Sequence, residues 1–443
     1  MAKNSLYIET YSYYRQLIEE GKLSAGERMP SLRECCKELN ISKTTAESAY
    51  FQLVADGYIV SRERSGFFVS DIRRDSLNKS QQSSNKTYDP ILEGNNIDSY
   101  EASYDFSKIG EDPEYFCFSL WQRYMKSSLR FTETLMSYGN PQGEIELREE
   151  ISNYVKKNRN IYCTADDVVI GASTQSLLMI LLPILKNEGM RTASVPTIGF
   201  DRYAKVFEDN DFAVGYRDKE ADVIYVSPAH MTSYGEVMSL KRRYEITKHS
   251  EDGHIIIEDD YQNEFNYSKH PCPSIFALSK GENVVYLGGF SRVLMPSIRI
   301  SFMILPTGLK EKYKEISSKY DQTASKTEQL ALCHFLRDDQ LNRHIRKIKR
   351  LYGVKRERLA EILGWLCEGL SGADKRKVSL LIGECGTEME IRVQGIGRDV
   401  LEYYLSEHDM KCAVNEQEGE TFHLLFSCGI IGLEKMKEIN ITS

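Results

Sequence analysis

The sequence of 443 residues lacks the features that mark secreted, membrane and metal-binding proteins. Its ten cysteines are scattered without a CxxC pair, and its eight histidines without an HExxH pair, so neither a disulfide framework nor a metal site is indicated. The N-terminus has no apolar signal core. The most apolar run, Leu177 to Leu185, is too short to span a bilayer and contains Pro183. We therefore expect a cytoplasmic protein with reduced thiols and no membrane partner.

An overall excess of positive charge is also missing. The net charge is −8 and the isoelectric point is near 5.7, which does not favour a protein that binds polyanions over its whole surface. An average over the chain can hide a basic patch, so DNA binding by one domain stays open. The length and the 41% of hydrophobic residues predict two or three domains.

The first seventy residues have the pattern of three helices followed by two strands. Apolar residues recur at helical spacing from Leu6 to Glu20. Ser31 and Ser42 are N-cap candidates for a second helix, which runs through Leu39, and for a third helix from Lys43 to Asp56. Alternating apolar residues then flank a charged tip. This order predicts a helix-turn-helix with a two-stranded wing.

Three segments of this region, LxxGxRMPSxRE, NISKTTAESAYFQLVADGYI and SRERSGFFV, closely resemble the GntR-type winged helix over residues 5–70. The resemblance implies that the partner is double-stranded operator DNA. The DNA contacts that it implies are Arg33 at the start of the second helix, Ser42, Lys43, Thr44 and Thr45 at the start of the recognition helix, and Arg62 and Arg64 on the wing. A helical interaction module is the alternative, because acidic and basic residues are equally numerous here. The placement of the basic residues favours DNA.

Residues 71–103 are rich in Ser, Asn, Gln and Lys and have few large apolar residues. Such a composition cannot bury enough surface to offset chain entropy, so we expect a flexible linker. The domain boundaries that follow are 1–70 for the winged helix, 71–103 for the linker and 104–443 for a large second domain.

Short Val- and Ile-rich segments alternate with helical patterns through the second domain. The predicted strands are DVVIGAS, TASVP, ADVIYVSP, HIIIEDD, NVVYLGGF and ISFMILP. This alternation predicts an α/β domain with a mostly parallel sheet and helices on both faces. Ligands of such sheets bind beyond the carboxyl ends of the strands, so the polar residues that follow the strands are the candidates for a site.

The second domain resembles the fold-type I pyridoxal-phosphate enzymes and the MocR-like regulators that share their fold. The segments that carry the resemblance are YDFSKIGEDPEYFCFSLWQRYM, YGNPQG, SPAHMTSYGEVM, IIIEDDYQNEFNY and GGFSRVLMPSIRISF. It implies phosphate binding by Ala172, Ser173, Thr174 and Arg299. It also implies that Asp259 pairs with the ring nitrogen, that Tyr261 bonds the ring hydroxyl and that Phe200 packs over the ring. Arg202 would bind the carboxylate of an effector.

The sequence departs from that family at Arg292. The family has a Ser-Lys pair whose lysine forms a Schiff base with the cofactor, and here Ser291 is followed by Arg292. A guanidinium is essentially never deprotonated, so Arg292 cannot act as the amine nucleophile. Met231 and Ser233 also replace the glutamine and proline that the family usually has. These losses indicate a site that is no longer catalytic.

We therefore predict a DNA-binding transcriptional regulator, not an enzyme, whose degenerate aminotransferase-like domain forms a homodimer and senses an amino acid or a form of vitamin B6. Two alternatives remain for the cofactor. Pyridoxal phosphate is bound noncovalently, with Arg292 adding a salt bridge, or it has been lost; loss is slightly favoured because the Schiff base contributes much of its retention. Two other classes are an aminotransferase with an appended DNA-binding domain, which Arg292 disfavours, and a domain that only dimerises.

Overall fold

The structure, a computed structural model, describes residues 6–24, 26–55, 58–62, 66–69, 102–196, 200–268, 272–371, 377–417 and 421–441. The chain divides into two compact units, residues 1–88 and 89–443. Almost all of the predicted linker, residues 71–103, lies outside the described residues.

The first unit has three helices and a β-hairpin. The helices are α1 (Leu6–Glu19), α2 (Leu32–Leu39) and α3 (Lys43–Ala55), and the strands are β1 (Ile59–Arg62) and β2 (Gly66–Val69). The two predicted caps explain where the helices begin. Ser31 and Glu34 form a capping box at α2, and the Ser42 hydroxyl accepts the N–H of Thr45 at 3.2 Å.

The core of this unit joins the helices to the hairpin. Tyr14 of α1 and Tyr50 of α3 meet edge to face with ring centroids 5.5 Å apart, and Tyr50 also meets Phe67 of β2 at 5.2 Å. The Tyr50 hydroxyl donates to the carbonyl oxygen of Pro30 at 2.9 Å. Strands β1 and β2 pair antiparallel with Arg62 opposite Gly66. The predicted winged helix is confirmed.

The second unit contains the remaining elements. Its helices are α4 (Phe118–Ser128), α5 (Thr132–Leu135), α6 (Ile145–Arg159), α7 (Thr174–Asn187), α8 (Asp201–Glu208), α9 (Leu240–Glu251), α10 (Ile275–Leu278), α11 (Thr307–Ser317), α12 (Lys326–Arg337), α13 (Gln340–Ser371), α14 (Arg398–Glu407) and α15 (Leu433–Lys437). Its strands are β3 (Tyr104–Asp105), β4 (Val168–Gly171), β5 (Thr192–Val195), β6 (Ala213–Tyr216), β7 (Val223–Val226), β8 (Ile255–Asp259), β9 (Val284–Gly289), β10 (Ser301–Ile304), β11 (Val378–Leu381), β12 (Glu388–Gln394), β13 (Met410–Lys411), β14 (Ala413–Gln417) and β15 (Thr421–Ser427).

Seven of these strands form one sheet in the order β4-β10-β9-β8-β7-β5-β6. Only β10 runs antiparallel to its neighbours, β4 and β9. The central strands are buried along their whole length because separate hydrophobic clusters cover the two faces. The α/β fold with a mostly parallel sheet is confirmed. The sequence analysis missed β6, a half-exposed strand at the edge of the sheet.

A second sheet of four antiparallel strands, in the order β11-β12-β15-β14, covers a third hydrophobic cluster. Met389, Ile391 and Val393 of β12 point into this cluster. Side chains alternate along a strand, so Glu388 and Glu390 lie on the opposite face. Strand β12 therefore carries buried carboxylates on the face away from its own core.

None of the helices within the described ranges is long and apolar enough to cross a bilayer. No group of three or more potential metal ligands occurs among these residues either, and no two of the described cysteines form a disulfide.

Candidate functional site

The exposed face of α2 and α3 carries most of the predicted DNA contacts. Arg33, Lys43 and Thr44 are exposed, and Thr45 is partly buried. The Ser42 hydroxyl caps α3 and lies 2.8 Å from the Thr45 hydroxyl. Both hydroxyls thus have a structural role at the helix start, and Arg33, Lys43 and Thr44 are the side chains left to project outward.

Two further predicted DNA contacts, Arg62 and Arg64, belong to the wing. Arg62 ends β1, but its side chain is outside the described residues, as is the whole of Arg64. Sequence reasoning missed Arg28, which is exposed and forms an isolated bridge with Phe68 of β2. Its guanidinium lies beside Gly66. Arg28 is the first arginine of the LxxGxRMPSxRE segment, which was the signal that could have identified it.

In the second unit, the strand register brings the predicted ligand segments to one edge of the large sheet, the edge at which the parallel strands have their carboxyl ends. Ser301 of β10 pairs with Gly171 of β4 on one side and with Gly289 of β9 on the other. Ala172 and Ser173 follow Gly171, Ser291 and Arg292 follow Gly289, and Arg299 precedes Ser301. Because β10 is antiparallel, its start lies at the carboxyl ends of its neighbours, where α/β sheets bind ligands.

Asp259, at the carboxyl end of β8, is only 5% exposed. Its Oδ2 accepts the hydroxyl of Tyr225 at 2.5 Å. Burial raises the pKa of the Asp259 carboxyl to about 6, although the hydrogen bond from Tyr225 lowers it. No cationic side chain of the described residues forms an ion pair with it. A buried carboxylate with no cation is an acceptor that a protonated ring nitrogen would satisfy.

Tyr261 lies two residues further on. Its ring and the His230 ring pack edge to face with centroids 5.1 Å apart, and Arg292 Cζ lies 6.0 Å from the centroid of the Tyr261 ring. Burial raises the pKa of Tyr261 to about 12, so its hydroxyl keeps its proton. The loop that carries His230 is fixed at Gly235, where a Cβ would stand 1.8 Å from the carbonyl oxygen of Cys385. Only glycine fits there, at φ +81°.

Phe200 and Arg202 flank the start of α8. Phe200 is half-buried against Tyr203 and Tyr225, each with its ring centroid 6.3 Å away, so it packs on the tyrosine that bonds Asp259. Arg202 is exposed, and among the residues described here no acidic side chain forms an ion pair with it. The structure therefore brings Phe200 towards Asp259 and leaves Arg202 at the surface.

The predicted phosphate segment is the start of α7. Ser173 caps the helix and accepts the N–H of Ser176 at 3.1 Å, while the N–H of Ala172 donates to the Thr323 hydroxyl at 2.9 Å. The next two N–H groups, of Thr174 and Gln175, have no protein acceptor in the described part of the chain. Helix-start N–H groups of this kind bind phosphate. Of the predicted residues, Thr174 therefore offers an open N–H group, together with Gln175, whereas Ala172 and Ser173 use theirs within the protein.

Arg299 comes two residues before Ser301, whose partner Gly171 leads into this turn. It is exposed, and no carboxylate of the described ranges pairs with it. The Ser291 hydroxyl, in contrast, is used within the protein and donates to the carbonyl oxygen of Ile298 at 2.6 Å. That bond closes the turn between Arg292 and Arg299 and fixes the two arginines relative to each other.

Arg292 is held by carboxylates from two other segments. Its Nη2 lies 3.0 Å from Glu388 of β12, and its Nη1 lies 3.4 Å from Glu111 of the segment after β3. Burial alone would lower the pKa of this guanidinium, but Tyr261 and the two carboxylates raise it above its ordinary value. Arg292 is therefore a permanent cation in this site.

The pKa values of the two carboxylates are shifted in opposite directions. Burial alone would raise the pKa of Glu388, but its contacts with His230 and Arg292 hold it well below the usual range. Burial raises the pKa of Glu111 to about 7, with Arg292 opposing the rise. Sequence analysis missed both residues. Glu388 comes from a strand nearly a hundred residues after Arg292, and no local pattern signals its inward orientation.

Two family descriptions match parts of the chain. Residues 6–69 match "Bacterial regulatory proteins, gntR family", and residues 120–224 match "Aminotransferase class I and II".

Among similar proteins, the uncharacterized HTH-type transcriptional regulator YdeL of Bacillus subtilis is 35% identical over 79% of this chain and 77% of its own length. The probable rhizopine catabolism regulatory protein MocR of Rhizobium meliloti is 26% identical over 80% and 76%. Among solved structures, an archaeal alanine:glyoxylate aminotransferase superposes with a TM-score of 0.64 and 17% identity, covering 76% of this chain and 88% of that one. At such identity the superposition shows the fold alone.

Proposed function

The chain belongs to the HTH-type transcriptional regulators that join a GntR-type domain to an aminotransferase-like domain, and we propose that its second domain controls DNA binding by sensing a phosphorylated form of vitamin B6 without covalent attachment. The observation that carries the proposal is a set of open binding groups at one sheet edge, with a guanidinium where an amine would be required. A regulator of transcription works beside the chromosome, so we expect a cytoplasmic protein.

The DNA-binding half of the proposal rests on the placement of charge. Arg33, Lys43 and Thr44 project from the helices that a winged helix directs to DNA. Arg28, which bridges to Phe68 of β2, adds a basic residue at the wing. The first domain has no net excess of basic residues, so a few phosphate contacts should supply much of the affinity.

Replacing Arg33 with alanine should weaken binding to a fluorescein-labelled duplex of mixed sequence and lower the slope of log K against log salt concentration by about one. Phosphate contacts do not depend on sequence, so the operator need not be known. Fluorescence anisotropy at a series of KCl concentrations gives the slope. Lys22→Ala is the matched control, because Lys22 is exposed but paired with Glu20 at 2.6 Å. Equal slopes for the two variants would remove Arg33 from the interface.

The residues at the sheet edge fit the cofactor in all but one respect. Asp259 would take the ring nitrogen, Tyr261 the ring hydroxyl, and Arg299 with the N–H groups of Thr174 and Gln175 the phosphate. Arg292 does not fit covalent attachment, since it offers no amine. Pyridoxal phosphate bound here would supply charge and shape as a signal; the chain keeps it oriented and has no nucleophile for it at residue 292.

Calorimetric titration with pyridoxal phosphate, followed by absorbance, tests this function. We expect heat of binding without a visible band of covalently held cofactor. Asp259→Asn should reduce the affinity by about tenfold, because it removes a charge-assisted hydrogen bond. The exposed Asp209→Asn is the matched control and should leave the affinity unchanged. No heat with the native protein would contradict the proposal.

We also propose a homodimer formed through residues 129–138 of the second domain. Four large apolar side chains of this segment are exposed: Leu129, Phe131, Met136 and Tyr138. Lys326 fixes the end of the segment, since its Nζ donates to the carbonyl oxygen of Ser137 at 3.2 Å. An ordered, exposed apolar segment favours association with a second copy.

Introducing charge into this segment should break the dimer. We expect Met136→Glu/Tyr138→Glu to run as a monomer in size-exclusion chromatography with light scattering, whereas the native chain runs as a dimer. Tyr162→Glu is the matched control, because Tyr162 is 71% exposed and lies outside the segment. A double variant that stays dimeric would place the interface elsewhere.

A further inference from the structure

The charges around Arg292 do not balance. The side chains of Arg292, Glu111 and Glu388 are 13%, 9% and 4% exposed, so solvent screens them little. One guanidinium faces two carboxylates, and His230, 3.7 Å from Glu388, adds positive charge only when it is protonated. With a neutral imidazole and both carboxylates ionised, one negative charge is left uncompensated. A buried net charge is unfavourable unless a counter-charge is supplied.

Most of the hydrogen-bond donors of Arg292 are already used. The Gln262 amide is assigned with its oxygen towards Arg292, because the opposite orientation faces donors with its nitrogen; Nε then donates to it at 2.9 Å. The two Nη atoms face Glu111 and Glu388. Nε and Nη2 are therefore satisfied within the protein, and the remaining donor capacity of Arg292 is at Nη1, 3.4 Å from Glu111.

Acceptors, in contrast, remain open beside it. A carboxylate has about four lone-pair sites. Within the described chain, Glu111 has the Tyr352 hydroxyl on one oxygen and only the long contact with Arg292 on the other. His230, 8% exposed, has no hydrogen bond at Nε2 among these residues and lies 3.7 Å from Glu388. The cluster can thus receive a donor that carries positive charge.

This cluster borders the ring site. Arg292 lies over the face of Tyr261, and the His230 ring packs edge to face with the same ring. Asp259 is two residues away on the same strand end. Arg292 also occupies the position, directly after Ser291, at which the resemblance places the lysine that meets the aldehyde. The cluster therefore faces the ring position that carries the aldehyde in pyridoxal phosphate.

We infer, resting on the function proposed above, that the site selects the amine form of the vitamin, a phosphorylated pyridine with a primary ammonium group in place of the aldehyde. The ammonium supplies the positive charge that Glu111 and Glu388 lack and donates to Glu111. The aldehyde form supplies neither charge nor donor, and it has no amine at residue 292 with which to react.

Calorimetry with pyridoxamine 5′-phosphate, pyridoxine 5′-phosphate and inorganic phosphate tests this inference on the full-length protein. The pyridoxine ester has the same ring and phosphate with a neutral alcohol, and unlike the aldehyde it does not react with surface lysines. We expect the amine to bind on the order of tenfold more tightly than the alcohol, as for a hydrogen bond to a charged group. Inorganic phosphate should bind more weakly than both.

Two variants identify the group responsible. Glu111→Gln keeps the shape but removes the charge, so the amine and the alcohol should bind it equally. Glu390→Gln is the matched control: Glu390 lies on the same face of β12, but His423 and Ser233 each contact it at 2.6 Å. The control should keep the preference for the amine.

The preference should also depend on pH. The groups that face Glu111 are Arg292, Glu388, and Tyr352 and Lys355 of α13. Burial raises its pKa to about 7, so Glu111 becomes ionised as the pH rises through 7. We expect the ratio of the two affinities to be larger at pH 8 than at pH 6, and this change to vanish in Glu111→Gln.

Equal binding of amine and alcohol, tighter binding of the alcohol, or an unchanged preference in Glu111→Gln would overturn the inference. Comparison with pyridoxal phosphate separates this failure from that of the proposed function. If pyridoxal phosphate and the alcohol bind but the amine has no advantage, vitamin sensing stands and only the selectivity is wrong. If none of the three binds, both are wrong, and the DNA titration with Arg33→Ala still tests the first domain by itself.

Discussion

The Arg292→Lys variant, mixed with pyridoxal phosphate, should acquire visible absorbance that the native protein lacks. The substitution restores an amine at the residue where the resemblance places one, next to Asp259, Tyr261 and the start of α7. Gel filtration should not remove the colour, and borohydride treatment should attach the ligand to the peptide that contains residue 292. The measurement is an absorbance spectrum followed by peptide mass analysis.

The surroundings of Arg292 set the conditions for this result. The introduced amine faces Glu388 and Glu111, and nearby carboxylates favour its protonated form. Each carboxylate that raises its pKa by about one unit lowers the fraction of free amine about tenfold at neutral pH. We therefore expect weak colour at pH 7, stronger colour at pH 9, and strong colour at pH 7 in Arg292→Lys/Glu388→Gln.

Arg148→Lys provides the control for this experiment. Arg148 of α6 is 4% exposed, and its Nη1 donates to the carbonyl oxygen of Ala165 at 2.7 Å. Its lysine variant should show only the background reaction of surface lysines. If both variants at residue 292 stay colourless with excess pyridoxal phosphate, the groups at the sheet edge do not hold the ring.

The sequence predicted local structure well where caps and periodicity are local properties. Ser31 with Glu34 and Ser42 with Thr45 fixed the helix starts of the first domain within one residue. The Val- and Ile-rich segments gave six strands of the large sheet because buried parallel strands have continuous apolar runs. The exception is β6, which is the half-exposed outermost strand beside β5 and has no such run.

The candidate site was predicted only in part, because part of it depends on long-range contacts. Asp259 and Tyr261 follow a recognisable strand, so their common edge could be expected. Glu111 and Glu388 reach Arg292 from segments far away along the chain, and their role as its counter-charges is visible only in the fold. The predicted salt bridge from Arg292 to a ligand is accordingly replaced, in our proposal, by salt bridges within the protein.

The largest effect on stability should come from Asp112, the residue after Glu111. Lys355 of α13 has a fully buried side chain, and its Nζ lies 2.6 Å from Asp112 Oδ2. Asp112→Asn keeps the shape and leaves the lysine charge without its partner. Removing one partner of a buried ion pair costs about 3–5 kcal/mol, and because Lys355 also donates to two backbone carbonyls we expect about 3 kcal/mol.

Urea unfolding followed by tryptophan fluorescence measures this loss in the second domain alone, because both tryptophans, Trp121 and Trp365, belong to it. Asp209→Asn breaks the exposed pair with Lys205 and should leave the free energy of unfolding nearly unchanged, because solvent screens exposed ion pairs.

Removing both charges tells a charge effect from a packing effect. Asp112→Asn/Lys355→Met should regain most of the lost stability, since a buried ion pair replaced by neutral groups is often tolerated. Asp112 also fixes the segment that carries Glu111 to α13, so the single variant should weaken the preference for the amine ligand as well. A double variant as unstable as the single one would show that Lys355 acts through the carbonyls of Cys428 and Gly429 and not through Asp112.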